Sequence, residues 1–85
     1  MFYVYVVQNN EKEIYLGYTS DVEKRVKAHN YGMSTYTKLR RPWRLVYYEA
    51  YLSKEDAKIR EETLKNYGST LGHLKKRIKK SLLFI

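Results

Sequence analysis

The sequence predicts an α+β domain: a three-stranded antiparallel sheet packed with helices, in the order β-β-α-β-α-α. Three observations carry that prediction. The chain has 85 residues, room for one domain over residues 1–85 and not for two. Three stretches rich in Val, Tyr and other strand formers occur, and a short polar turn separates the first two. Two further stretches begin on a capping serine, and a shorter basic stretch of helical character follows them. Strands and helices of these lengths make a two-layer arrangement.

Each element follows in chain order. Phe2 to Gln8 is a run of Val and Tyr and reads as a strand. Asn9 to Lys12 is the turn, and Glu13 to Thr19 is the returning strand. Ser20 is placed to cap the first helix, with Glu23 reaching back in a capping box. That helix ends near His29 or Asn30, and residues 31 to 42 form a loop with Gly32 near its start and Pro42 at its end. Trp43 to Tyr51 is the third strand. Ser53 caps a second helix from Lys54 to about Tyr67, with Gly68 as its stop. A basic helix runs from Thr70 or Gly72 to about Leu82.

Charge points to a class of partner. Lys plus Arg is 17 and Asp plus Glu is 9, a net charge of +8. That is the footprint of a protein that binds a phosphate backbone. A basic domain that binds some other anionic surface would carry the same charge. The aromatic residues are 10 Tyr, 2 Phe and 1 Trp, so tyrosine is the side chain to explain. Tyrosine packs a core, stacks on bases and moves protons. With no cysteine, disulfides and thiolate metal sites are excluded. No apolar run approaches the roughly 20 residues that span a membrane, and no signal-peptide pattern opens the chain. The expectation is a cytoplasmic protein.

Helical angles pick out polar residues on apolar faces. At about 100° per residue, with Val22 at 0°, Val26 falls at about 40°, His29 at about −20° and Arg25 at about −60°. Arg25 and His29 therefore share the side that holds the helix's valines. On the second helix, with Ala57 at 0°, Leu64 falls at about −20°, Glu61 at about 40° and Glu62 at about 140°. Glu62 should be solvated. Glu61 should lie at the buried face, where a carboxylate must be paired, hydrogen-bonded or metal-bound. An ion pair with Arg25 and a structural core histidine are the competing explanations. On the hairpin, Tyr3, Tyr5 and Val7 share one face, and Tyr15 and Gly17 share one face. An odd number of loop residues brings Tyr5 and Tyr15 to the same face; a four-residue loop separates them. Gly17 leaves space above the sheet.

These residues also form an ordered set. Tyr3-Val4-Tyr5, Tyr15-Leu16-Gly17, Arg25 and His29 are followed by Tyr36-Thr37-Lys38, Arg41-Pro42-Trp43, Leu45 to Glu49, and Ala57 to Lys65. The set resembles the GIY-YIG nuclease family, in particular its small single-domain branch and the nuclease domain of the bacterial nucleotide-excision-repair enzyme. Tyr3 stands for the first motif's Gly, Val4 for its Ile, and Leu16 for the second motif's Ile. The family often has a late asparagine, and Asn66 follows Glu61 too soon to be its equivalent.

The resemblance implies a divalent-metal-dependent endonuclease, using Mg²⁺ or Mn²⁺, acting on nucleic acid, DNA before RNA, with DNA repair as one setting. It implies catalytic roles for Tyr5, Tyr15, Arg25, His29 and Glu61, with Glu61 the metal ligand. Gly17 matches the motif glycine beside the nucleic acid. Lys38 and the basic Lys75, Lys76 and Arg77 are candidate backbone contacts. A binding module without cleavage, and a purely structural domain, remain as alternatives. The latter predicts that Tyr5, Arg25, His29 and Glu61 do not converge.

Overall fold

A computed structural model describes residues 1–82 of the chain. Its elements are β1 (Phe2–Gln8), β2 (Ile14–Thr19), α1 (Val22–Asn30), β3 (Arg44–Tyr51), α2 (Lys54–Asn66) and α3 (Gly68–Arg77), with a single 3-10 turn at Lys38–Arg40. The sheet is antiparallel throughout, in the order β2-β1-β3. The predicted order β-β-α-β-α-α is the one observed.

Helices cover both faces of the sheet, so the two-layer expectation is corrected. Alternation along β1 sends Val4 and Val6 to one side and Tyr5 and Val7 to the other. Val4 and Val6 pack with Leu16, with Ala57 and Leu64 of α2, and with Leu74 and Ile78 beyond them. Tyr5 and Val7 pack with Trp43, Tyr15 and Val26 of α1. A central strand buried on both faces explains why β1 reads as a near-continuous apolar run. Each fully buried Val or Leu contributes about 1.5–3 kcal/mol.

The first turn has five residues, Asn9 to Glu13, because β2 starts at Ile14 rather than Glu13. Asn9 organises it. Its side-chain oxygen accepts from the backbone N–H of Glu11 and Glu13, and its amide donates to the Glu13 carboxylate and to the Arg40 carbonyl. An odd loop puts Tyr5 and Tyr15 on the same face. Tyr5 lies opposite Gly17, and Tyr15 lies opposite Val7.

Three helix termini differ from expectation. Asp21, not Ser20, caps α1: its carboxylate accepts from Lys24 N at 3.0 Å. The Thr19 hydroxyl bonds the Asp21 backbone on both sides, which holds Asp21 extended at the cap position. Glu23 then cannot complete a capping box and pairs with Lys27. Ser53 caps α2 as predicted, accepting from Asp56 N. Gly68 does not stop α2. Tyr67 does, in an extended conformation (φ −124°, ψ 103°), and Gly68 opens α3. The basic helix therefore begins earlier and ends earlier, at Arg77, than the sequence suggested.

Candidate active site

The site is built on the Tyr5 face. Tyr5 sits mid-strand in β1 with its ring over Gly17. A Cβ at position 17 would collide with the Tyr5 hydroxyl and would lie 2.6 Å from Cζ and 2.8 Å from Cε1. Glycine is thus required by close approach, since Gly17 shows no unusual backbone angle. The Tyr5 hydroxyl shares a 2.8 Å hydrogen bond with His29 Nε2. His29 Nδ1 shares a 2.8 Å hydrogen bond with the Thr37 hydroxyl. The Thr37 carbonyl accepts from Trp43 Nε1 at 2.9 Å. Tyr5, His29 and Trp43 are each 2% exposed and Thr37 is 0% exposed, so a closed polar chain runs from β1 through α1 into the loop before β3.

That loop is fixed from its other side by Asn30. Its side chain accepts from Trp43 N at 2.7 Å and donates to the Trp43 carbonyl at 2.8 Å. Tyr15 completes the cluster, edge-on to His29 with centroids 5.0 Å apart and tilted against Tyr36 at 5.6 Å.

Charges gather around the buried pair. Burial pushes the Tyr5 hydroxyl well above the ordinary tyrosine value; Arg25 opposes this, while Tyr15 and Glu61 add to it. Burial and Arg25 together lower the tendency of His29 to protonate, so His29 is neutral at pH 7. Both Arg25 and Glu61 therefore lie near enough to act electrostatically on Tyr5. Arg25 is exposed on α1 and lines a recess of about 230 Å³ with Lys24, Ala28 and Thr19. Glu61 is half-buried on α2 and pairs with Lys65 at 3.1 Å. Lys65 Nζ also stands 5.9 Å from the Tyr15 ring centroid. The competing explanation, an Arg25–Glu61 ion pair, is not found among the described residues, where Glu61 takes Lys65 as its partner.

The fold thus brings together Tyr5, Tyr15, Gly17, Arg25, His29 and Glu61. Lys38 is exposed and follows Thr37 at the start of the 3-10 turn. Arg77 does not join them. With Arg60, Thr70, His73 and Leu74 it lines a recess on the Val4–Val6 face, and Lys75 and Lys76 are its exposed neighbours in the last turn of α3. A larger cleft of about 640 Å³ between α1 and β3, bordered by Tyr3, Leu45 and Tyr48, contains none of the predicted catalytic residues. Size alone is a poor guide here; the buried polar chain and its charges mark the chemistry.

No group of three or more His, Cys, Asp or Glu residues is arranged for metal binding among the described residues. An ion that keeps most of its ligands as water and substrate oxygen, as Mg²⁺ does, needs only one or two carboxylates, and Glu61 is the carboxylate that acts on Tyr5. Four residues of this neighbourhood were given no role from the sequence, although Thr37, Trp43 and Lys65 stand in its ordered set of motifs. Lys65 was legible as the i+4 partner of Glu61. Thr37, Asn30 and Trp43 act across a loop, and no local pattern announces their bonds.

Tyr5 and His29 thus form a buried pair between β1 and α1, with Arg25 and Glu61 near enough to act on it. The chain matches the GIY-YIG catalytic domain over residues 1–75, and it belongs to that family. It is 47% identical over 66 residues to the UPF0213 protein SERP0126 of Staphylococcus epidermidis, covering 76% of this chain and 80% of that protein. The UPF0213 protein SA0446 of Staphylococcus aureus is 46% identical over the same coverage. The solution structure of the UPF0213 protein BH0048 from Bacillus halodurans superposes with a TM-score of 0.52 at 38% identity, covering 88% of this chain and 86% of that one. No helix among the described residues is long and apolar enough to cross a membrane.

Proposed function

We propose that this domain is a divalent-metal-dependent endonuclease that hydrolyses phosphodiester bonds, with DNA as its polymer. The observation that carries the reading is the convergence of Tyr5, His29, Arg25 and Glu61 from three separate elements around one hydroxyl. Arg25 offers a planar fork to the charge that grows on a phosphate in the transition state, in a recess it lines together with Lys24 and Asp21. Glu61 would hold Mg²⁺ or Mn²⁺, and the bound ion would supply charge neutralisation at the scissile phosphate. Tyr5 is the general base and Tyr15 positions water or phosphate. In the free protein Tyr5 keeps its proton, since burial outweighs Arg25. The Glu61 charge is one reason, so neutralising Glu61 makes the Tyr5 hydroxyl a better acid. Lys38, Lys75, Lys76 and Arg77 contact backbone without reading sequence.

One observation favours a second reading, a binding module without cleavage. Lys65 already neutralises Glu61 at 3.1 Å, occupying part of the carboxylate a metal would need. Nicking of supercoiled DNA, and cleavage of RNA, with Mg²⁺ or Mn²⁺ by wild type and Glu61→Gln separates the two. Metal-dependent nicking lost in the variant supports the nuclease. Equal cutting by the variant removes Glu61 from the mechanism. Salt-sensitive binding with no cutting by either protein supports the binding module.

A further inference from the structure

We infer, resting on the nucleic-acid part of the reading above and not on cleavage, that the cleft between α1 and β3 receives one unpaired nucleobase of a strand whose phosphate lies in the Arg25 recess.

The cleft is on the same face of the sheet as Tyr5. Tyr48 is the cross-strand partner of Tyr5, and Leu45 is that of Val7; cross-strand partners share a face. Tyr3, two residues before Tyr5, joins them. At about 640 Å³ the cleft falls within the roughly 300–1,000 Å³ of sites that enclose small molecules. Tyr3 and Tyr48 form a corner in it, with ring centroids 5.7 Å apart and planes at 70°. A flat heterocycle fits such a corner, with its face on one ring and its edge against the other. Tyr48 is 53% exposed, so its ring is open to a ligand. Val22 and Val26 supply the apolar wall on the α1 side.

The first turn of α1 joins this cleft to the Arg25 recess. Ser20 and Asp21 border both. Around the helix, with Val22 at 0°, Val26, Glu23 and Lys27 fall at about 40°, 100° and 140°, while Lys24, Ala28 and Arg25 fall at about 200°, 240° and 300°. The first three line the cleft and the last three line the recess.

Charge divides along the same line. In the recess two cations, Lys24 and Arg25, stand against one carboxylate, Asp21. In the cleft one cation, Lys27, stands against two carboxylates, Asp21 and Glu23. A phosphate is drawn to the recess and turned away from the cleft, and a neutral base is not. Asp21 is committed to capping α1. Glu23 is held by an exposed i,i+4 pair with Lys27, and its carboxylate can accept from the exocyclic amine of a base. A cationic recess and an aromatic cleft with a shared border match the alternation of phosphate and base along one strand. A paired base is stacked within its duplex, so the occupant is an unpaired one.

The test uses no metal and no cleavage. A short single-stranded DNA and the same phosphodiester chain made abasic throughout are titrated into protein with ¹³C-labelled methyl groups and ¹⁵N-labelled arginine. The DNA should shift the methyl resonances of Val22, Val26 and Leu45, the abasic chain should not, and both should shift Arg25 Nε–H. Tyr48→Ala should weaken DNA binding about tenfold, the loss of one stacked base, and leave abasic binding unchanged. Tyr48→Phe should bind as wild type does. Equal affinity of wild type for both chains, the same methyl shifts with both, or a folded Tyr48→Ala with wild-type affinity for DNA overturns the inference and leaves backbone binding standing. Binding of neither chain overturns it together with the nucleic-acid reading. The wild-type shifts decide alone if Tyr48→Ala does not fold.

Discussion

Gly17→Ala is the sharpest probe of the geometry. The added methyl would sit 2.6 Å from Tyr5 Cζ, and ordinary contact begins at 3.4 Å, so the ring must recede by about 3.4 − 2.6 = 0.8 Å. It has little room to do so. Tyr5 is buried against Val7 and Trp43 and tied to His29 at 2.8 Å. Overpacking of this kind costs about 1–3 kcal/mol, and replacing Gly by Ala in a strand returns about 0.5–1 kcal/mol. The net expectation is a loss of up to about 2.5 kcal/mol in urea unfolding, centred near about 1 kcal/mol. The effect on chemistry should be larger than on folding, because a displacement near 1 Å costs about 10²-fold in rate. Metal-dependent nicking under conditions where both proteins are folded measures it. A Gly17→Ala protein with wild-type midpoint and wild-type nicking would refute the claim that the Tyr5 hydroxyl is held in place over residue 17.

Other perturbations separate site from scaffold. Glu61→Gln should abolish metal-dependent nicking while changing stability by no more than about 0.5 kcal/mol, since its pair with Lys65 is a partly exposed i,i+4 contact; a large drop in the urea midpoint would show a structural role instead. Asn30→Ala removes both bonds to Trp43 and should cost about 1–3 kcal/mol, with faster amide exchange in residues 31–43 as the local signature. Glu49→Gln tests the opposite face. Burial pushes the Glu49 carboxyl up, but the Arg60 fork at 2.9 and 3.0 Å and the Tyr47 and Tyr51 hydroxyls at 2.6 Å bring it below its ordinary value of 4.5. A depressed carboxyl contributes stability above its unfolded value, and that stability is lost as pH falls through the folded one. Glu49→Gln should therefore be less stable by about 3 kcal/mol at pH 7, with the gap to wild type closing below about pH 4.5; a gap independent of pH would refute the linkage.

Much of this architecture was legible because its elements carry local signals. The Val and Tyr runs, the Ser53 cap and the periodic placement of Ala57 and Leu64 each specify an element without help from the rest of the chain. The angular position of Glu61 and His29 was legible for the same reason, since 3.6-residue periodicity is a property of one helix alone. What failed was competition between equivalent local solutions. Ser20 and Asp21 are both good caps, and the Thr19 hydroxyl decides between them. Gly68 suits a helix stop in isolation, yet Tyr67 adopts the extended break and frees Gly68 to begin α3. What could not be read at all was the long-range chemistry. The bond between His29 and Thr37 exists because Asn30 clamps Trp43 and folds the loop back across eight residues, and neither residue alone encodes that.

The two sheet faces hold two separate polar networks, and α2 is where they meet. On one face Glu49, Arg60, Tyr47 and Tyr51 close a charge-compensated cluster; on the other, Tyr5, His29, Thr37 and Trp43 close a neutral one. Arg60 and Glu61 are adjacent in sequence, about 100° apart on the helix, so one serves the first network and the next faces the second. Ala57 and Leu64, buried at 0% and 1% exposure, fix the rotation of α2 between them. The core therefore sets the position of Glu61 relative to Tyr5, although Ala57 and Leu64 pack in the cluster on the other face of the sheet. A rotation of α2 by even part of a residue step would move Arg60 off Glu49 and Glu61 away from Tyr5 together. The Glu49–Arg60 fork thus reads as the lock on that rotation, linking the stability of one face to the chemistry of the other.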